Sequence, residues 1–177
     1  MNLRRLLLAC LSMLILALSA CHLSTTDTDA RTKVGDKVPA ISVQEASGGT
    51  FSPANETGKV IVVNFWATWC GPCQAEMPEM EKQVWQKYKS SPDFAFIAIA
   101  REQDLGTVLN FQQTHTNLTF PLASDPTRAA YARFAAAGIP RTYVIDRHGL
   151  IAYQSFGYYP GSVDVLSRAV QKALAEK

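Results

Sequence analysis

Two cysteines separated by a glycine and a proline are the residues of this chain best suited to chemistry. Cys70 and Cys73 come soon after an apolar run, Val60 to Phe65, in which only Asn64 is polar. Such a run predicts a strand that is buried on both faces of a parallel or mixed sheet. The two thiols are therefore expected in the loop and helix that follow this strand.

The residues after Cys70 predict the start of a helix. Pro72 suits a first helical turn, where its missing N–H would have no partner, and residues 74–87 are mostly good helix formers. A thiol at this place faces unpaired N–H groups and the positive end of the helix dipole, which stabilise its thiolate. We therefore expect a lowered pKa at Cys70, which makes Cys70 the attacking thiol. Cys73, on the same helical face, is expected to resolve the mixed disulfide.

The motif WCGPC, with Pro78 five residues later, resembles the active site of the thioredoxin superfamily. The longer stretch VNFWATWCGPCQAEMPEM resembles the TlpA/ResA-like branch of that superfamily. The resemblance implies an α/β, thioredoxin-like fold: a central mixed β-sheet flanked by helices, with an N-terminal β-hairpin extension and a central insertion. It also implies a thiol-disulfide oxidoreductase without metal or organic cofactor. A zinc site would need two further ligands near the pair, and the chain has no second CxxC and only three scattered histidines.

Residues 1–20 predict a lipoprotein signal peptide. Two arginines precede an apolar segment, Leu6–Leu18, and residues 18–21 (Leu-Ser-Ala-Cys) resemble the lipobox of bacterial lipoproteins. That resemblance implies cleavage before Cys21 and a lipid on this cysteine. The alternatives are ordinary secretory cleavage near Ala20 and a permanent anchor, although the apolar segment is short of the ~20 residues that a membrane span needs.

The polar segment after the signal peptide predicts a tether. Residues 21–33 are rich in Ser, Thr and Asp and are expected to be flexible, with the folded domain over residues 34–177. If Cys10 leaves with the signal peptide and Cys21 carries lipid, the CxxC pair is the one internal disulfide that the domain could form. A disulfide across so short a loop stabilises a fold little, so the pair is expected to serve chemistry.

Composition limits the other function classes. The chain has 177 residues, of which 47% are hydrophobic and 18% charged, as expected for one globular domain with an extension. A net charge of +2 gives no indication of nucleic-acid binding. We expect a monomer that does not bind nucleic acid.

The rest of the domain shows a regular alternation of strand and helix patterns. The predicted elements are a hairpin around residues 41–51, a buried strand Phe94–Ala100, an insertion made of a helix Leu105–Thr114, a short strand Phe120–Leu122 and a helix Thr127–Ala137 capped at Asp125, then a β-hairpin over residues 143–156 and a final helix Ser162–Ala175.

Pro140 is the second element with a chemical role. Thioredoxin-like folds carry a cis-proline directly before a strand at this place, so the resemblance implies a cis Ile139–Pro140 bond. Because proline has no N–H, the backbone of Ile139 is left free to pair with an extended substrate. An ordinary trans proline at the start of an edge strand is the alternative. Trp69 is expected to contact substrate as well, and both Trp66 and Trp69 to give the sulfurs apolar cover.

Glu76 matches the acidic residue of the CxxCxxE pattern in ResA-like proteins, whereas Asn64 stands where thioredoxin has a buried aspartate. As a partly buried carboxylate, Glu76 is expected to have a raised pKa and to exchange a proton with Cys73. The alternative is a solvated glutamate on the helix surface, which is the interpretation given to Glu79 and Glu81.

These features predict a membrane-tethered thiol-disulfide oxidoreductase of the bacterial cell envelope that faces the periplasm or extracytoplasmic space. By resemblance, it reduces disulfides in envelope proteins, for example in cytochrome c maturation, and receives electrons from a membrane thiol-disulfide carrier. One alternative is a thiol peroxidase, although Ala67 stands where peroxiredoxins place a Thr or Ser. The other is an envelope copper-binding chaperone that uses both cysteines.

Overall fold

The computed structural model describes residues 27–176, which form a seven-stranded mixed sheet with helices packed on both faces. In chain order the strands are β1 (Val43–Glu45), β2 (Thr50–Phe51), β3 (Val60–Trp66), β4 (Phe94–Arg101), β5 (Leu122–Asp125), β6 (Arg141–Ile145) and β7 (Ile151–Phe156). Their order across the sheet is β2-β1-β5-β4-β3-β6-β7. The β3–β4 and β4–β5 pairs are parallel and the other pairs are antiparallel. The predicted α/β architecture is confirmed.

Strand β3 lies inside the sheet, between β4 and β6, and is buried along its whole length. Its side chains alternate between two cores: Val60, Val62 and Trp66 face one, and Ile61, Val63 and Phe65 face the other. Each fully buried apolar side chain of this size contributes about 1.5–3 kcal/mol to folding. The loop that follows β3 therefore starts from a rigid support.

The helices are α1 (Gly71–Met80), α2 (Leu105–Thr114), α3 (Tyr131–Phe134) and α4 (Ser162–Ala175), with a short 3-10 helix at Pro53–Glu56. The helical path of α1 continues through a π-helical stretch, Glu81–Trp85, and a last turn, Gln86–Tyr88. Pro78 lies inside α1 and has no N–H for the regular ladder. The change to wider π-type bonds begins three residues later, at Glu81.

The N-terminal hairpin and the central insertion build one edge of the sheet together. Strands β1 and β2 pair through Val43 and Phe51, and β1 also pairs with β5, where Gln44 lies opposite Ser124. Strand β5 overlaps the predicted strand Phe120–Leu122 only at its first residue. In the part of the chain that the structure describes, no helix has both the length and the apolar character needed to span a membrane.

The second helix of the insertion is shorter than the sequence predicts. A helix over Thr127–Ala137 is expected, but α3 is a single turn, Tyr131–Phe134. Arg128 has a φ of +64°, which a right-handed helix does not accommodate. The predicted cap at Asp125 is wrong, because Asp125 ends β5 and the N-cap residue of α3 is Ala130. The Asp125 carboxylate nevertheless accepts the N–H groups of Ala130 at 3.2 Å and Tyr131 at 2.8 Å.

The start of the domain also differs from the prediction. Residues 27–33, assigned to the flexible tether, contact the domain: the N–H of Arg31 donates to the carbonyl of Phe134 at 2.9 Å, and Asp27 forms an ion pair with Arg141. These contacts use backbone groups and one ion pair, so a search for apolar patterns does not find them. Residues 1–26, with the predicted signal peptide and Cys21, lie outside the described residues.

Candidate active site

Cys70 and Cys73 are joined in a disulfide at the start of α1. Cys70 occupies the N-cap position, in extended backbone conformation, and its sulfur accepts the backbone N–H of Cys73 at 3.2 Å. The side chains differ in access, since Cys70 is 5% exposed and Cys73 is 1% exposed. A sulfur at this position receives a hydrogen bond from one of the free N–H groups of the helix, which favours its thiolate once the disulfide is reduced.

The loop between β3 and α1 is fixed by a glutamine that the sequence did not reveal. The side-chain oxygen of Gln103 accepts the N–H of Thr68 at 2.8 Å, and its amide nitrogen donates to the Thr68 hydroxyl at 2.6 Å. Gln103 is buried, and it follows β4, the parallel neighbour of β3. The two strands therefore deliver both partners to the same end of the sheet. Only knowledge of the strand pairing could have indicated this contact.

The peptide bond between Ile139 and Pro140 is cis, as the resemblance implies. Strand β6 begins directly after it, and Arg141 lies opposite Phe65 in the antiparallel pair of β6 with β3. The last residues of β3 and the first residues of β6 therefore lie at the same end of the sheet. The loop with Pro140 is thus on the same side as the loop that leads from β3 to Cys70. The carbonyl of Pro140 accepts the N–H of Gly157 at 2.9 Å and is held by this bond.

A buried polar group lies behind the cysteines. Glu76 is only 3% exposed, and its carboxylate accepts the Asn64 amide N–H at 3.3 Å. The same amide donates to the hydroxyl of Thr142 at 2.9 Å. Burial raises the pKa of Glu76 to about 7, although the hydrogen bond from Asn64 lowers it and the nearby charge of Glu79 raises it further.

This pKa gives Glu76 a defined chemical capacity. Glu76 lies one turn after Cys73, and both side chains are on the buried face of α1. A carboxyl group with a pKa of about 7 is part protonated near neutral pH, so it can take up or release a proton there. Thr142 was not predicted as a member of this group; its position opposite Asn64 follows from the pairing of β3 with β6.

The two tryptophans near the dithiol have different environments. Trp66 is fully buried and packs on Phe111, with 4.5 Å between ring centroids, so it is part of the core. Trp69 is 64% exposed, and the guanidinium of Arg101 lies 5.9 Å from its ring centroid. Arg101 also forms an ion pair with Glu102. Trp69 thus presents an aromatic surface to solvent immediately before Cys70. The prediction that its ring gives the sulfurs apolar cover does not fit this exposure.

The interpretation of Glu81 as a solvated surface residue is wrong. Glu81 is 7% exposed, and its carboxylate accepts the N–H and hydroxyl of Thr119 at 2.8 and 2.7 Å, the N–H of Phe120 at 3.3 Å and the amide of Gln86. Burial alone would raise the pKa of Glu81, but these hydrogen bonds outweigh it and hold the pKa below its ordinary value. Glu79 is half-buried and accepts the hydroxyl of Tyr158 at 2.7 Å.

The described residues form no candidate metal site. Among residues 27–176, no three His, Cys, Asp or Glu side chains come together in a way that could hold a metal ion.

Comparisons with known proteins agree with this geometry. Residues 33–170 match the family model described as Redoxin. The thioredoxin-like protein YneN of Bacillus subtilis is 35% identical over 120 residues, which are 66% of this chain and 68% of YneN. The thiol-disulfide oxidoreductase ResA of Bacillus anthracis is 30% identical over 125 residues, which are 71% of this chain and 70% of ResA.

A solved structure supports the same assignment. The solution structure of a proposed protein disulfide isomerase from Bacteroides thetaiotaomicron is similar with a TM-score of 0.79 and 34% identity, over 84% of this chain and 94% of that one. The family-model match over residues 33–170 includes the dithiol and the elements that position it. The chain therefore belongs to the Redoxin family within the thioredoxin superfamily, as a ResA-like thiol-disulfide oxidoreductase.

Proposed function

We propose that this thiol-disulfide oxidoreductase is tethered to a bacterial membrane through a lipid on Cys21 and reduces disulfides of exported proteins, apocytochrome c among them. The observation that carries the chemistry is the dithiol at the start of α1 with the carboxyl group of Glu76 buried one turn behind it. The location is supported by the lipobox-like residues 18–21 and by the apolar segment before them.

The first chemical step uses the sulfur of Cys70. In the reduced protein its thiolate attacks one sulfur of the substrate disulfide, a new bond forms between the two proteins, and the substrate disulfide breaks. The released substrate thiolate takes up a proton. Trp69 and the backbone of Ile139 beside Pro140 are the proposed contacts for the substrate segment that carries the disulfide.

The second step releases the substrate. Cys73 loses its proton to the Glu76 carboxylate and attacks the Cys70 sulfur, so that the mixed disulfide breaks and the Cys70–Cys73 disulfide forms. The second substrate thiolate then takes up the proton that Glu76 holds. Two electrons pass from the dithiol to the substrate in each cycle. A membrane thiol-disulfide carrier of the same chemical class would reduce the pair again.

The exchange is tested by trapping. Cys73→Ala in the native host should accumulate mixed disulfides between Cys70 and exported proteins, because the resolving thiol is missing. Cys70→Ala is the matched control and should accumulate none. Recovery of no envelope protein on Cys70, or equal recovery with both variants, would contradict the proposal.

The direction is tested by the redox state in the cell. A reductant should be held mostly as the dithiol in growing cells and should become oxidised when the membrane carrier is deleted. A protein that is fully oxidised in the cell, with a redox state that does not change with the level of substrate proteins, would contradict reduction.

The thiol peroxidase alternative is tested with peroxide as the substrate. Turnover with peroxide that is faster than turnover with a protein disulfide would favour the peroxidase reaction.

The tether is tested by Cys21→Ser, which removes the acceptor sulfur. We expect the native chain to be labelled by a radioactive fatty acid and to fractionate with membranes, and the variant to be unlabelled and released. An unlabelled native chain, or a labelled variant, would contradict lipidation at this cysteine.

A further inference from the structure

We propose that Arg141 and Asp27 position the loop that carries Pro140, so that the N-terminal strap, residues 27–32, is a working part of the substrate-docking site. The proposal rests on the exchange with protein disulfides at Cys70, but on neither the location nor the direction proposed above. It concerns how well a protein substrate docks, since neither residue is assigned to the reacting atoms.

Arg141 connects the strap to the loop through a single buried side chain. It is 1% exposed, and its guanidinium bonds both carboxylate oxygens of Asp27, with 2.8 Å between Nη2 and Oδ1. Its Nε donates to the carbonyl oxygens of Ala137 at 2.9 Å and Gly138 at 3.2 Å. One end of the fork is thus bound to the strap and the other to the two residues before Ile139.

The face of the same guanidinium lies over an aromatic ring. The central carbon of the Arg141 guanidinium is 4.5 Å from the ring centroid of Phe156, which is 48% exposed. Gly138 lies so close to this ring that an added Cβ would be 2.4 Å from it. The Gly138 carbonyl also accepts the hydroxyl of Tyr131 at 2.6 Å. The loop before Pro140 is therefore fixed by three contacts: the hydroxyl of Tyr131 in the core, the ring of Phe156 in β7, and Arg141 with its ion pair to the strap.

Backbone bonds tie the strap to the segment that leads into this loop. The carbonyl of Asp29 accepts the N–H of Ala136 at 2.7 Å, and Ala30 forms a β-bridge with Ala135. The strap therefore pairs with the residues immediately before the loop. The ion pair between Asp27 and Arg141 binds the start of the strap to the residue directly after Pro140.

The electrostatics make Asp27 the sensitive partner. A buried guanidinium is costly unless it is paired, and removing one partner of such a pair leaves an uncompensated charge. Without the Asp27 carboxylate, Arg141 would turn toward water and give up its bonds to the loop carbonyls. An extended substrate would then meet a loop whose backbone is no longer fixed, and its docking would weaken. A small disulfide that needs no loop contact would react at Cys70 as before.

The experiment compares a strap variant with a variant outside the strap, both in the full chain. Asp27→Asn removes the carboxylate that binds Arg141, and Glu45→Gln removes an equal charge from β1, which is separated from β6 by three strands. The substrates are insulin, as a protein disulfide, and a small aromatic disulfide. We expect Asp27→Asn to lower kcat/KM for insulin about tenfold, mainly through KM. We expect the rate of Asp27→Asn with the small disulfide, and both rates of Glu45→Gln, to remain within about twofold of the native values.

Arg141→Gln and its combination with Asp27→Asn test the connection itself. If Asp27 acts through Arg141, the double variant is no worse with insulin than Arg141→Gln alone. Additive losses, or an Asp27→Asn protein that matches Glu45→Gln with insulin, would overturn the proposal. So would equal losses with both substrates, because they would indicate damage to the dithiol or the fold. A native chain that reduced neither substrate would contradict the exchange reaction instead, and that result is distinct from the others.

Discussion

Replacing Glu76 by glutamine should change how the stability of the oxidised protein depends on pH. The carboxyl of Glu76 is buried, and its pKa rises from 4.5 to about 7 on folding. Below about pH 4 the group is protonated in both the folded and the unfolded chain, so it adds no pH dependence there. Between these two pKa values the unfolded chain releases the proton while the folded chain keeps it, and the native protein loses stability as the pH rises.

The size of this loss follows from the two pKa values. A rise from 4.5 to about 7 corresponds to about 3 kcal/mol, which is fully lost only above the folded-state pKa. Glutamine has nearly the same shape as the protonated acid and does not ionise. The Glu76→Gln protein should therefore gain about 3 kcal/mol relative to the native protein between about pH 4 and pH 8.

The measurement is urea unfolding of both oxidised proteins across this pH range, with the difference in unfolding free energy plotted against pH. Glu45→Gln, in the N-terminal hairpin and away from the dithiol, gives the background effect of removing one carboxylate. Parallel curves for the native protein and Glu76→Gln would refute the reasoning, because they would mean that Glu76 keeps an ordinary pKa in the folded state.

Two further substitutions test the structure around the site. Glu81→Ala leaves the N–H groups of Thr119 and Phe120 without their acceptor, and should cost about 2–4 kcal/mol in unfolding free energy at neutral pH; the cost should shrink as the pH falls, because a carboxylate with a lowered pKa stabilises the fold only while ionised. An unchanged urea midpoint would contradict this. Gly138→Ala places a Cβ at a φ of +81° and against the Phe156 ring, and should cost about 1–3 kcal/mol. Phe156→Ala should restore only the steric part of that loss, and complete restoration would show that the backbone is not strained.

The sequence predicts the sheet and the dithiol because local patterns determine them. Val60–Phe65 is apolar except for Asn64, which suits a strand covered on both sides, and the CxxC pair comes soon after this strand, at the start of a helix. The cis bond before Pro140 depended on the resemblance, since no local pattern distinguishes a cis proline from a trans one.

The contacts that the sequence did not reveal are made between residues far apart in the chain. Glu81 looks like an ordinary residue of an exposed helix face, and its burial depends on the loop at Thr119 packing against it. Asp27 lies in a polar stretch that is typical of linkers, yet its partner Arg141 is 114 residues away. Such pairings depend on tertiary structure, because polar groups form them without an apolar pattern along the chain.

The same dependence on tertiary structure explains why the helix predicted over residues 127–137 of the insertion is too long. The composition of residues 127–137 suits a helix, but Arg128 adopts a left-handed conformation and the helix starts only at Tyr131. The Asp125 carboxylate, placed by its strand, accepts N–H groups further along the chain than a standard cap. Tertiary position here overrides local propensity.

The central claim is that the start of α1 stabilises the thiolate of Cys70, while the buried Cys73 reacts only after Cys70 has formed a mixed disulfide. The most direct measurement is alkylation of the reduced protein at about neutral pH, with mass spectrometry to identify the labelled cysteine. Cys70 should react first, and faster than the same cysteine in the urea-unfolded chain, while Cys73 stays protected. Labelling of Cys73 first, or a Cys70 that reacts no faster than in the unfolded chain, would contradict the account.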